Sequence, residues 1–545
     1  MKINEPKPFT PPWPSPFLTL ALFLVGAVIV LLLLRGRFDS DPFPEAGSAK
    51  AFRLSLFTEP FSLDPLSMGP TASHYLFNNI YRGLLSYDPE WSENPLRSED
   101  AQFCRWEEQL TSPPRLFCQL RANLRWSTGE PLTAEDYVRG FRRLVRPETR
   151  TPHAEQLLAL KNARAILAGE EPAETLGVEA LSATELLFSF AEEDQDFLYR
   201  LSHPALSPLS PAGHPETSQA QLLSSNGPYQ VEEWSLRKGI RLSPNPHYHR
   251  GNPSRPDVEI LFVEDDHTAR RLYDHGRLNF LRRLVTSDIP QSRQRPDFHQ
   301  VPLARFDYIG FGPQLKDHPQ LRQALAQALN YPQLKDLYQA LGLPGCPGLP
   351  SSYMAQIPCH SHSPSEALKA LALAQEAAQG QGGLPSLELH FSQLGGDDVA
   401  KGMEWMQNQW KRHLQLEVEL RPVEQGMFVQ SLRHHPPPLF RRGVPLDRPT
   451  CLSALEIFHS EHRENLIGLK SAHYDSLISQ LAREQQPEGR QELCSQALSY
   501  LIHGHWLIPL GEIHFSMLVD RNFTGWKINE LNQLDLKDLV FRKAL

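Results

Sequence analysis

The segment Leu120-Arg-Ala-Asn-Leu-Arg-Trp-Ser-Thr-Gly-Glu-Pro-Leu-Thr-Ala-Glu-Asp-Tyr-Val138 limits the fold of this chain more than any other stretch. Its first residues read as a strand running into Trp126, followed by a turn at Ser127-Thr128-Gly129 and a helix opened by Thr133. Gly129 supplies the positive φ that a tight turn wants, and Glu130-Pro131 keeps the strand from continuing. Thr133 and Asp136 have the spacing of a helix start, and acidic residues in the first turn suit the helix dipole. Such a unit belongs to a chain that mixes strands and helices.

The rest of the sequence repeats that alternation. Strand patterns recur at Phe52–Phe57, Arg115–Leu120, Thr184–Phe190, Gly239–Ser243 and Val258–Val263. An amphipathic helix from Thr268 to Asp274, a C-cap glycine at Gly276 and a strand at Leu278–Leu281 complete a β-α-β unit. A second block starts near 305. It carries the helical stripe Leu321/Ala324/Leu325/Ala328/Leu329, a helix at Ser365–Ala378, a strand at Ser386–Phe391, a helix at Val399–Leu414 and a strand at Gln415–Leu420. These stripes are core faces. With 545 residues the chain exceeds one hydrophobic core, and mixed α/β domains are expected, two or three in number.

Before residue 50 the sequence changes character. Residues 1–16 are proline-rich and read as a disordered cytoplasmic tail. Phe17–Leu34 is uncharged, and its 18 residues would span roughly 27 Å as a helix, about the hydrocarbon core of a bilayer. A cleaved signal peptide is the competing reading, but the first small-residue site, Ala46-Gly-Ser-Ala49, lies well past Leu34. An uncleaved transmembrane anchor over 17–34, with a polar tether over 35–50, fits better. The net charge of −9, with no long basic run, argues against a nucleic-acid partner.

Six cysteines fall as Cys104/Cys118, Cys346/Cys359 and Cys451/Cys494. An even count suggests disulfides in an oxidising compartment, with buried thiols as the other reading. Pairing between neighbours is preferred because Cys104 and Cys118 flank a Ser112-Pro-Pro114 turn between two apolar strands. The sequence has no G-x-S-x-G, H-E-x-x-H, G-x-x-x-x-G-K-[ST] or C-x-x-C motif. Without a phosphate loop, the chain carries no ATPase signature of its own. Histidine pairs at His360/His362, His434/His435 and His459/His462 have metal-ligand chemistry, but they sit in Pro/Ser-rich or charged segments and read as solvated loops. No cofactor and no metal is expected.

Five segments carry a resemblance: Leu56-Phe-Thr-Glu-Pro-Phe-Ser-Leu-Asp-Pro65, Ile80-Tyr-Arg-Gly-Leu-Leu-Ser-Tyr-Asp-Pro89, the 120–138 stretch, Asn226-Gly-Pro-Tyr-Gln-Val-Glu-Glu-Trp234, and the helix from His318 to Asn330. Together, and in this order, they resemble family 5 of the extracytoplasmic solute-binding proteins, the dipeptide and oligopeptide binders of ABC-type importers. The resemblance implies a two-lobed α/β fold of the periplasmic-binding-protein type with an extra domain on lobe one. Lobe one is expected over 50–304 and 505–545, its inserted domain over about 88–205, and lobe two over 305–504. It also implies a protein that is not an enzyme, held by the cytoplasmic membrane with its binding domain outside. Its partners would be a short peptide ligand and the permease and ATPase subunits of a transporter. The alternatives are the same fold binding a nickel chelate, haem or an oligosaccharide, or a metallopeptidase that uses the histidine clusters.

A peptide in extended form presents an amine that needs a carboxylate in a closed cleft, because an unpaired buried charge costs several kcal/mol. In oligopeptide binders that carboxylate belongs to a G-W-x-x-D-like segment, and Gly443-Val-Pro-Leu-Asp447 resembles it, making Asp447 the expected amine anchor beside Gly443. Val444 stands where the family has tryptophan, Arg441 and Arg442 precede it, and an ungapped alignment puts Pro445 in the aspartate's place. Glu59-Pro60-Phe61 matches the opening segment whose backbone pairs with ligand in the family. Tyr308, at the expected lobe crossing, is a further ligand-binding candidate.

Overall fold

The computed structural model describes residues 51–67, 74–88, 95–107, 114–213, 223–251, 254–331, 333–334, 349, 361–379, 383–393 and 396–542. The expected tail, anchor and tether over 1–50, the Cys346/Cys359 pair, His360, Ser112 and Pro113 lie outside these residues. No described helix is long and apolar enough to cross a membrane.

Three sheets organise the described chain. The largest has seven strands in the spatial order 298–302, 514–519, 280–281, 52–56, 258–262, 239–244 and 229–235. Phe52–Leu56 runs parallel to both Val258–Phe262 and Phe280–Leu281, so the Asp266–Asp274 helix carries the chain from one side of it to the other. This is the expected β-α-β unit, with Gly276 at φ +70° closing the helix. The strand after it is only two residues long. Phe52, Leu54, Val258, Ile260 and Phe280 are fully buried in the core that this sheet builds with Tyr75 and Phe523.

A four-stranded sheet has the order 101–106, 115–120, 185–189 and 178–182. Its core holds Trp126, Tyr137 and Phe141. Cys104 and Cys118 stand opposite each other on adjacent strands and are bonded, as are Cys451 and Cys494. The strand that was expected to reach Trp126 stops at Leu120. Asn123 adopts φ +63° and turns the chain, and Trp126 instead sits in a loop that closes on itself. There Trp126 N–H donates to Glu130 O at 2.9 Å and Leu132 N–H to Leu124 O at 3.0 Å. Gly129, at φ +88°, makes that loop possible. Thr133 then caps the Ala134–Val145 helix, its N–H donating to the Asp136 carboxylate at 2.9 Å.

The third sheet has five strands in the order 419–423, 388–392, 439–445, 305–311 and 507–509. Helices cover both of its faces, giving one core around Tyr308 and Phe440 and another around Ile309, Leu389 and Trp410. The expected strand at 415–420 begins only at Glu419, because Gln415 takes φ +56° as it leaves the preceding helix.

Candidate functional site

The chain passes between the seven-stranded and five-stranded sheets at two places held side by side. Leu303 N–H donates to Ile513 O at 2.8 Å, and Ala304 N–H to Glu530 O at 2.7 Å. Directly after this crossing, Arg305–Phe311 pairs antiparallel with Leu439–Pro445. Strand side chains alternate between faces, and here the alternation separates the candidates. Phe306 and Tyr308 point into the core, where the Tyr308 ring lies 5.4 Å from those of Phe306 and Phe458. Tyr308 is completely buried, with no hydrogen-bond partner for its hydroxyl. It packs against Phe306, Phe440 and Phe458 on the face opposite Arg305 and Arg441.

The other face carries Arg305, Asp307, Arg441 and Gly443. Asp307 is wholly buried and accepts hydrogen bonds from both Arg305 and Arg441. Gly443 stands opposite Asp307, and a Cβ there would collide with the Arg305 guanidinium. The glycine therefore makes room for a cation to lie across the strand. Two guanidiniums share one carboxylate, and Arg305 keeps 32% of its side chain exposed. The wall carries two cations against the one carboxylate of Asp307.

Asp447 lies just beyond this strand, and its carboxylate is already engaged. It accepts from Arg448 Nη1 at 2.8 Å, Ser453 Oγ at 2.6 Å and Gln156 Nε2 at 2.6 Å, with Arg200 Nη1 at 3.7 Å. Burial pushes its carboxyl up, but Arg448, Arg200 and the two hydrogen bonds outweigh burial and hold it well below the usual range. Arg448 is fully buried and also pairs with Asp196 at 2.7 Å and Glu456 at 2.8 Å. Asp196, equally buried, takes Thr450 Oγ1 and Arg490 as well. Its carboxyl too is raised by burial and lowered, on balance, by Arg448 and Arg490. Gln156, Asp196 and Arg200 belong to the region of the four-stranded sheet, and Asp447, Arg448 and Arg490 to the region of the five-stranded sheet. The cluster is thus an ionic contact between the two.

Three histidines stand next to it. The His203 ring lies 5.1 Å from that of His153 and 5.8 Å from that of His74. Burial and the neighbouring His153 lower His74 to about 4. Burial, His153 and His74 hold His203 well below its ordinary value, with Asp447 acting in the opposite direction. Among the described residues no group of three or more His, Cys, Asp or Glu has the arrangement to hold a metal. His434 and His435 end a helix, and His459 accepts from the Glu461 N–H at 3.3 Å within its own loop.

Glu59-Pro60-Phe61 follows the first strand of the large sheet. The Glu59 carboxylate accepts from Trp234 Nε1 at 2.8 Å and Arg237 N–H at 3.1 Å, which ties the segment to a hairpin of the same sheet. Pro60 is buried, while Phe61 is 94% exposed. Sequence reasoning missed Gln156, Asp196, Arg200, Arg305 and Arg448. Asp196 ends the run Glu192-Glu-Asp-Gln-Asp, which reads as a solvated acidic stretch until the fold buries its last member.

The model for the family described as bacterial extracellular solute-binding proteins, family 5 Middle, matches residues 115–462. The chain is 25% identical over 479 residues to the probable deoxycholate-binding periplasmic protein YgiS of Escherichia coli, covering 85% of this chain and 88% of that one. It is 21% identical over 503 residues to the oligopeptide-binding protein OppA of Bacillus subtilis, covering 87% and 89%. A solved structure of Haemophilus influenzae OppA in complex with the peptide RPPGFSPFR superposes with a TM-score of 0.73 at 20% identity, over 91% of this chain and 99% of that one. The architecture is the two-lobed α/β fold of the periplasmic binding proteins.

Proposed function

We propose that this chain, which belongs to family 5 of the bacterial extracellular solute-binding proteins, is the peptide-capturing component of an ABC-type importer. It binds short peptides between its two lobes without chemical change and delivers them to a permease driven by an ATPase. The observation that supports this most is the match to an oligopeptide-binding protein over 87% of the chain. Lobe one is read as 50–304 and 505–545 with the insertion over about 88–205, and lobe two as 305–504. Phe17–Leu34 is read as the anchor that holds the binding domain outside the cytoplasmic membrane. Gly443, Glu59, Pro60 and Phe61 are proposed to flank the ligand. Asp447 is proposed as the amine's counter-charge, weakened by the guanidiniums already beside it.

A second reading has its own support. Arg305 and Arg441 share the single carboxylate of Asp307, and one relative is named as a probable deoxycholate-binding protein. A cationic wall of this sort suits an anionic, non-peptide ligand. Thermal-shift measurements separate the readings, because a ligand that binds only the folded state raises its stability by about 2.7 kcal/mol at a hundredfold excess over Kd. Peptides of two to five residues should raise the Tm and deoxycholate should not. The reverse pattern selects the second reading, and no response to either removes both.

A further inference from the structure

The three most exposed large apolar side chains among the described residues are Phe61, at 94%, Met427, at 67%, and Leu236, at 66%. One apolar residue in water needs no explanation. These three share a place in the topology, and strand direction fixes it. Phe298–Pro302 runs the same way as Phe52–Leu56, because 514–519 is antiparallel to both Phe298–Pro302 and Phe280–Leu281, and the latter is parallel to Phe52–Leu56. The end of the large sheet from which residue 303 crosses is therefore also the end from which Glu59-Pro60-Phe61 leaves. Val258–Phe262 ends there too, so the turn between 229–235 and 239–244, which holds Leu236, opens on the same side.

Beyond the crossing, Arg305 pairs with Pro445, and the parallel strands 388–392 and 419–423 end on the same side as Pro445. The Gln425–His434 helix starts there, with Met427 in its first turn. Open α/β sheets hold their ligands at such strand ends. In each sheet the strand leading to the exposed side chain, 52–56 or 419–423, is three places from the crossing strand, roughly 14 Å at the usual strand spacing. Phe61 and Met427 thus meet the cleft from opposite sheets at matched distances from the crossing.

Both are displayed by pinned backbone. Pro60 is buried, and the Leu63 carbonyl accepts from Tyr81 Oη at 2.9 Å. The Glu424 carboxylate accepts from the Gly426 and Met427 N–H groups at 2.9 and 3.0 Å, and Phe428 beyond them is buried. Leu236 belongs to the same display as Phe61, since Trp234 Nε1 and Arg237 N–H on either side of it both donate to Glu59. Fixed neighbours keep these side chains out of the cores of their own sheets. Only what approaches from across the cleft removes their apolar surface from water.

We propose that Phe61, Leu236 and Met427 form an apolar latch across the mouth of the cleft. When the two lobes turn about the crossing at Leu303 and Ile513, Met427 packs against Phe61 and Leu236, and that burial favours the closed state. The latch acts on closure and not on the ligand's side chains. It rests on the reading that the cleft closes over a ligand, whichever ligand that is.

The test is cross-linking across the cleft. In the full-length protein carrying Phe61→Cys and Met427→Cys, mild oxidation should join the two introduced thiols, with the bond identified by mass spectrometry of the linked peptides. A saturating tripeptide should speed the reaction at least threefold. Phe61→Cys with Leu373→Cys is the control, at a position 56% exposed on the Pro364–Ala378 helix, and should not link. No bond between 61 and 427, or equal linking to 373, overturns the latch. Calorimetric affinities give a second arm. Phe61→Ser and Met427→Ser should each weaken triglycine and trileucine alike, at least threefold, and the double variant should be little weaker than either, because both remove one contact. Losses confined to trileucine would assign the side chains to the ligand's own apolar groups and overturn the latch, as would losses that multiply. If the wild-type protein binds neither tripeptide, the peptide reading falls and the cross-link decides the latch alone.

Discussion

Residues 115–145 and 439–455 are built to the same plan, a strand, a loop and a helix capped by threonine, yet different forces hold them. In the first, Trp126, Glu130, Leu124, Leu132, Thr133 and Asp136 bond to one another within a dozen residues. In the second, Thr450 caps its helix through the Ser453 N–H at 3.4 Å, but Asp447 and Arg448 take partners from residues 156, 196 and 200. The first unit is a local hydrogen-bond pattern, and the second is charge gathered from distant parts of the chain. Local patterns are written in consecutive residues, whereas a buried ionic cluster exists only after the fold has assembled it.

The largest contrast should come from cutting one bond in each. Asp196→Ala leaves Arg448 buried without one carboxylate and should cost about 3–5 kcal/mol of unfolding free energy. Asp136→Asn, which weakens the helix cap and the half-exposed pair with Arg139 one turn on, should cost about 1 kcal/mol. Urea unfolding of both variants measures the difference, and equal losses would erase the distinction between the two units.

Acid should strike the long-range unit first. His74 is held neutral, with its folded pKa lowered to about 4, while the unfolded chain takes up that proton from its ordinary 6.5. The stability this histidine allows is therefore complete above pH 6.5 and declines as pH falls from 6.5 towards 4. Allowing for its partial exposure, the loss is about 2 kcal/mol. His74→Gln should flatten that part of the Tm-against-pH curve. An unchanged slope would place the acid sensitivity elsewhere.

The Asp447 carboxylate, proposed as the counter-charge of the peptide amine, is the point where the second unit would meet ligand. Asp447→Asn should reduce affinity for a free-amine peptide by about 1–2 kcal/mol, the low end for a charge pair because Arg448 already compensates it. Acetylating the peptide should reproduce most of that loss and add little in the variant, since both changes remove one interaction. Fully additive losses would show that the amine is held by another group. The smallest effect expected is in the local unit. Gly129→Ala imposes a side chain at φ +88° and should cost about 1 kcal/mol in the urea midpoint analysis.

The same contrast explains what the sequence disclosed. Arg115–Leu120, the threonine-capped helix, the β-α-β unit around Gly276 and the Cys104–Cys118 pair all depend on spacing within a few residues, and each stands where it was expected. The strand expected to reach Trp126 stopped early and the one expected from Gln415 began late because single left-handed residues, Asn123 and Gln415, turn the chain there. Asn123 carried a turn signal, since asparagine is poor in strands and tolerates a positive φ, whereas glutamine at 415 carried none. The packing of Tyr308 was illegible for a related reason. Its neighbours in sequence do not reveal which face of the strand meets Phe458 and which meets Arg441. The partners of Asp447 were not legible, because Asp196 and Arg448 become a pair only when the region of the four-stranded sheet meets that of the five-stranded sheet.

The central claim is that peptide is held between the two lobes. Hydrogen exchange of the full-length protein, with and without a saturating tripeptide, tests it directly. The account predicts new protection in Glu59–Leu63 of lobe one and in Leu439–Asp447 of lobe two, appearing together and at one peptide concentration. Protection confined to a single lobe, or absent from both, would contradict it.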